Sequence, residues 1–102
     1  SVGKINYAAL LRGIRISEIL KIRDMVIRLG GTGAVLLFYK EGYVEVPYVT
    51  NDLKSISDTD YSKICEISPH EGDSIIIVGG DDKNSALKAL GYVLLELLIR
   101  QA

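Results

Sequence analysis

Two short apolar runs, each flanked by glycine-containing segments, constrain this chain most. Ala34 to Tyr39 reads Ala-Val-Leu-Leu-Phe-Tyr, and Ser74 to Val78 reads Ser-Ile-Ile-Ile-Val. Neither alternates apolar with polar, so neither fits a strand with one wet face. Runs of this length, rich in β-branched and aromatic residues, predict strands buried on both faces. Such strands need a sheet and something to cover it. With 102 residues, 48% of them hydrophobic, the chain predicts a single domain over 1–102 with one core.

The flanking residues predict the remaining elements. Lys40-Glu41-Gly42 is a hairpin turn in which Gly42 can take positive φ. Tyr43 to Val49 then alternates, with Val44, Val46 and Tyr48 on one face. Pro47 cannot donate to a ladder, which puts this strand at an edge. The expected strand order is 2-1-3, and the third strand needs a neighbour, either residues 13–17 or a partner chain. Residues 4–12 read as a short helix stopped by Gly13. Ser17 caps a helix from Glu18 to Leu29 with the stripe Ile19, Ile22, Val26 and Leu29, and Gly30 is its stop. Thr50 to Ile56 is loop. Ser57 and Asp60 make a capping box, with Ile56 and Tyr61 as its staple, for a helix from Asp58 to about Glu66. A last helix runs from Lys83 to about Arg100, capped by Asp81 or Asp82.

The fold class expected is therefore α/β, a single domain with a small mixed sheet of three strands, or four if another segment joins. About four helices accompany it, the last of them long and apolar. Leu87, Leu90, Leu94 and Leu97 point one way on that helix, and Tyr92, Leu95 and Ile99 another. Only Lys88, Glu96 and Arg100 interrupt. A helix apolar on every side must be covered on more than one side. A three-stranded sheet covers one, so a second copy of the chain is the expected partner, a homodimer through residues 83–100.

Composition excludes several classes. Cys65 is the single cysteine, which rules out an internal disulfide and a cysteine-based zinc site; on a helix it reads as a small core residue. No stretch approaches the roughly 20 apolar residues of a membrane span, and no signal-peptide core is present, so a cytoplasmic protein without membrane contact is expected. One Gln, three Asn and abundant Ile fit a thermophile. Seven basic residues face two acidic ones in residues 1–40, against five and eleven in the remainder. That asymmetry raises nucleic acid as a less favoured partner.

The strand-to-helix junction Gly79-Gly80-Asp81-Asp82 is where α/β proteins hold phosphates, but two aspartates there repel a phosphate unless Mg²⁺ intervenes. Caps are the simpler role. A divalent metal on Asp81, Asp82 and Asp73 follows no ligand-spacing rule. His70 lies in a Ser-Pro-His-Glu-Gly loop with no nucleophile assigned near it.

Thr32-Gly33-Ala34-Val35, then a hairpin and a helix, then Ile67-Ser68 and Asp73-Ser74-Ile75-Ile76-Ile77-Val78, resembles the diadenylate cyclase domain over residues 18 to about 82. The resemblance implies an adenine nucleotide at Thr32, Gly33, Ala34 and Thr59, and the junction adds Gly79, Gly80, Asp81 and Asp82 as candidate ligand-binding residues. The family's metal-binding Asp is Thr32 here, and its basic Arg-His-Arg is Asp60-Tyr61-Ser62, which inverts the sign of that site. The resemblance thus implies a divergent member without cyclase activity, with no catalytic residue, metal site or cofactor. The first function expected is a non-enzymatic homodimeric domain of nucleotide-binding or regulatory type. The alternatives are a nucleic-acid module using Arg12, Arg15, Arg23 and Arg28, and an Mg²⁺-dependent phosphotransfer enzyme using Asp81 and Asp82.

Overall fold

A computed structural model describes residues 3–101, with side chains described for 3–99. In chain order the elements are β1 (Ile5–Leu11), α1 (Ile19–Arg28), β2 (Gly33–Lys40), β3 (Tyr43–Glu45), α2 (Leu53–Ile56), α3 (Asp58–Cys65), β4 (Ser74–Gly80) and α4 (Lys83–Gln101). The strands form a four-stranded antiparallel sheet in the order β1-β4-β2-β3. The two apolar runs are the two central strands, and the hairpin strand lies outside β2, as the sequence predicts.

Four expectations are corrected. Residues 5–11 are a strand, not a helix, and they supply the neighbour expected from residues 13–17. Ile5, Ala8 and Ala9 have helical spacing, but an unpaired β4 edge offers this segment a ladder, and tertiary pairing overrides a weak local preference. The sheet is antiparallel rather than mixed. Tyr39 N–H donates to Asp73 C=O at one end of β2, and Thr32 N–H to Gly79 C=O at the other. The hairpin strand stops at Glu45, because Val46 turns back to bridge Thr50 and Tyr48 takes φ 69°. Last, α4 is not an apolar helix covered on several sides: only one stripe, Ala86, Ala89, Leu90, Val93 and Leu97, is buried, and Lys83, Asn84, Lys88 and Glu96 break up the rest. Arg100, counted among its polar interruptions, has its side chain outside the described residues.

The hairpin turn is as expected, with Glu41 at φ 54° and Gly42 at φ 81°, the paired left-handed residues of a two-residue turn. Its register pairs Lys40 with Tyr43 and Phe38 with Glu45. The Ser57 cap also holds: its hydroxyl accepts from Asp60 N–H at 3.3 Å. Ser17 caps nothing. The cap residue of α1 is Glu18, which makes no side-chain cap bond and instead pairs with Lys21 at 3.4 Å. Residues 53–56, expected as loop, form the single turn of α2.

The described residues group into two compact units. In the first, residues up to 8, 18–35 and from 77 onward, α1 packs on α4. Ile22, Val26, Val78, Ala86 and Val93 are fully buried there. Gly80 lies against the first turn of α4: a Cβ placed on it would meet Ala86 N at 2.7 Å. Asp82 caps this helix, its Oδ1 accepting from Ser85 N–H at 2.8 Å. Asp82→Ala removes that acceptor and is expected to lower the thermal midpoint by about 5 °C, read by circular dichroism. In the second unit, residues 9–17 and 36–76, Leu36, Phe38, Val44, Ile64, Ile75 and Ile76 form the core.

Candidate functional site

The first unit presents the most distinctive surface. With one stripe of α4 turned inward, helical periodicity sends residues 87, 88, 91, 92, 95, 98 and 99 outward. Five of these are large and apolar. Tyr92, Leu95, Leu98 and Ile99 are 53–62% exposed, and Leu87 is 40% exposed. Isolated exposed leucines are ordinary; a row of them along one helix face is an uncovered apolar surface. Gly91 sits in the middle of that face. Glycine inside a helix costs about 1 kcal/mol relative to alanine. Among the described residues nothing requires it here: its φ is not positive, and a Cβ placed on it would meet no atom within 4 Å. A residue that weakens its helix without relieving any contact in its own chain suits close approach by another backbone.

The residues singled out in the sequence fall as follows. In the first unit, Thr32, Gly33 and Ala34 line a cleft of about 500 Å³ with Leu20, Arg23, Asp24 and Ile27. One Arg and one Asp among apolar side chains give it no excess positive charge for a phosphate. Gly79 holds Thr32 N–H, Gly80 packs on α4, Asp81 is exposed, and Asp82 is the cap. Thr59 is exposed on α3, in the second unit. Among the described residues, no three His, Cys, Asp or Glu side chains gather as a metal site. Cys65 is exposed rather than a core residue.

Of the four arginines that the nucleic-acid reading uses, two are engaged inside the second unit. Arg12 Nη1 lies 2.8 Å from Asp73 Oδ2 and donates to Ser68 C=O. Arg15 stacks 4.3 Å over the Phe38 ring and reaches Glu45 at 3.4 Å. Arg23 and Arg28 are exposed on α1.

The sequence reading missed the centre of that unit. Asp73 is 2% exposed and accepts three hydrogen bonds, from Gly13 N–H at 2.8 Å, His70 N–H at 2.7 Å and Arg12. The His70 N–H is the foremost influence holding its carboxyl below the ordinary aspartate range; burial opposes it, and Gly13 and Arg12 add to it. Ser74, next along, donates its hydroxyl to Ile14 C=O. Together these bonds pin the end of β1 to the start of β4. The sequence shows only an Asp directly before an apolar strand, which by itself does not reveal the partners brought to it from residues 12 and 13.

A family model described as a domain of unknown function, DUF4443, matches residues 2–97. The chain belongs to the DUF4443 family. That finding corrects the resemblance to diadenylate cyclase, for which no family match exists. The likeness was carried mainly by two apolar strands, and strands buried on both faces are apolar in any family. No curated protein matches it significantly. Among solved structures it is similar to a hypothetical protein, PH0730, from Pyrococcus horikoshii OT3, with TM-score 0.76 and 23% identity. The match covers 93% of the DUF4443 chain and 50% of that structure, so the chain spans about half the length of its structural neighbour. At this identity the likeness shows the fold alone. No described helix is long and apolar enough to cross a membrane.

Proposed function

We propose that this chain is a non-enzymatic association domain that pairs with a second copy of itself through the outer face of α4. The observation that carries this reading is the row Tyr92, Leu95, Leu98 and Ile99, each more than half exposed on one side of one helix. The non-enzymatic part is supported by the roles of the carboxylates: Asp82 is spent on a helix cap and Asp73 on Arg12 and two backbone N–H groups.

Magnitudes set the strength expected. Covering the exposed part of each side chain is worth about 1 kcal/mol. Eight such side chains in a symmetric pair reach about 8 kcal/mol, and an association cost of at least about 4 kcal/mol leaves a dissociation constant near millimolar. Association is therefore weak and concentration-dependent. The thermal midpoint is expected to rise as the protein is concentrated from ~50 μM to ~2 mM, because a dimer is stabilised by mass action. The double variant Leu95→Glu, Leu98→Glu should melt at one temperature throughout. A midpoint of the unmodified chain that ignores concentration would count against the reading.

A further inference from the structure

We infer that the outer edge of β1 takes an extended peptide from another protein by strand addition, pairing antiparallel, with an acidic residue of the peptide set against Lys4. This contact is separate from the α4 face and does not rest on it. β1 is the outermost strand beside β4, and among the described residues no strand pairs with its far side. Backbone groups of successive strand residues turn alternately to the two sides. Three or four of the seven residues Ile5–Leu11 therefore aim both N–H and C=O away from the sheet. Ile5, Asn6 and Ala8 are exposed, and Tyr7, Ala9 and Leu10 are half-buried, so the strand is open along most of its length.

The two edge strands are built differently. β3 has three residues, ends on Glu45 and is followed by Pro47, and shortness, charge and proline all keep foreign strands off an edge. β1 has seven residues and no charge, proline or glycine. It is also held in place. Just after it, Gly13 N–H donates to Asp73 at 2.8 Å; just before it, Gly3 lies so close to Gly80 that an added Cβ would meet Gly80 N at 2.7 Å. An edge fixed in advance loses little entropy when a strand adds to it.

Backbone and charge together choose the occupant. A row of alternating N–H and C=O groups accepts only an extended chain. A second copy of β1 fits poorly. Antiparallel pairing of all seven residues about Ala8 sets Lys4 opposite Arg12 at both ends, and like charges opposed across strands repel. Arg12 has Asp73 as its partner at 2.8 Å, whereas Lys4 is exposed and makes no ion pair among the described residues. An uncharged extended segment with one acidic residue at its C-terminal end meets both demands.

Amide exchange read by NMR tests this at ~50 μM chain, where a millimolar α4 contact leaves the protein monomeric. The probe is a synthetic alternating Thr/Val peptide of about eight residues ending in Glu, N-methylated at alternate positions so that it offers a single hydrogen-bonding edge. At ~1 mM it should slow exchange at alternate amides of Ile5–Leu11 by roughly threefold or more. A peptide N-methylated at every position should have no effect. Lys4→Glu should weaken the response to the Glu-ended peptide by about threefold or more and transfer the preference to a Lys-ended one. No protection in β1, or protection confined to other elements, would overturn the inference. Protection that appears without peptide and grows as the chain is concentrated would put a second copy on this edge and overturn it too. Equal responses to the Glu-ended and Lys-ended peptides would overturn the choice of an acidic partner.

Discussion

Asp73→Ala is expected to lower the thermal midpoint by on the order of 15 °C, the largest effect of any single polar substitution in this chain. The carboxylate is buried and is the common acceptor for Gly13 N–H, His70 N–H and the Arg12 guanidinium. Removing it leaves three donors without their partner at the point where β1 ends and β4 begins. Asp73→Asn should be nearly as damaging, because its amide N–H₂ would point at other donors. Arg12→Ala should cost only a few degrees, since Arg12 is half exposed and water replaces its bonds. Acid should mimic the substitution. The carboxyl is held below its ordinary range in the folded chain, so its contribution is complete above about pH 4 and is lost as pH falls through the depressed folded-state value. In Asp73→Ala that part of the acid sensitivity should vanish. Melts from pH 7 to 2 check both statements; a parent-like midpoint for Asp73→Ala would refute the role assigned to Asp73.

Gly80→Ala should destabilise the first unit by about 2–3 kcal/mol, or 10–15 °C. The added Cβ meets Ala86 N at 2.7 Å and Ala86 Cα at 3.0 Å, well inside normal contact. Because the obstruction is backbone, α4 must move away from β4. Ala86→Gly in the same chain should give no rescue, which separates this clash from one between side chains. A Gly80→Ala chain as stable as the parent would show that the start of α4 is free to shift.

What the sequence revealed, and what it hid, divides by distance along the chain. The hairpin at Glu41-Gly42, the Ser57 cap, the Gly30 stop and the two central strands are set by residues within a few positions of one another, and all were legible. The Asp73 network joins groups 60 and 61 residues apart, and no local pattern announces it. β1 was misread for the same reason: its conformation is decided by β4, which lies far down the chain. For α4 the apolar residues were read correctly, but only the structure separates the Ala86–Leu97 stripe, which is buried, from the Tyr92–Ile99 row, which is not. Gly91 drew no attention in the sequence, because a mid-helix glycine gains meaning only when its surroundings are seen to be empty. Of the candidate ligand residues, Thr32, Gly33, Ala34 and Thr59 were tied to a family resemblance carried mainly by two apolar strands, whereas Gly79, Gly80, Asp81 and Asp82 came from the strand-to-helix junction, where Gly80 packs on α4 and Asp82 caps it.

The most direct test of the account is the mass of the chain in solution. Sedimentation equilibrium at ~1 mM should return a mass well above the 11.2 kDa of one chain and rising toward twice that value with concentration, falling to the single-chain mass on dilution, and Leu95→Glu should stay at 11.2 kDa with an unchanged circular dichroism spectrum. An unmodified chain that remains at 11.2 kDa at that concentration would contradict the claim that the outer face of α4 is an interface between copies.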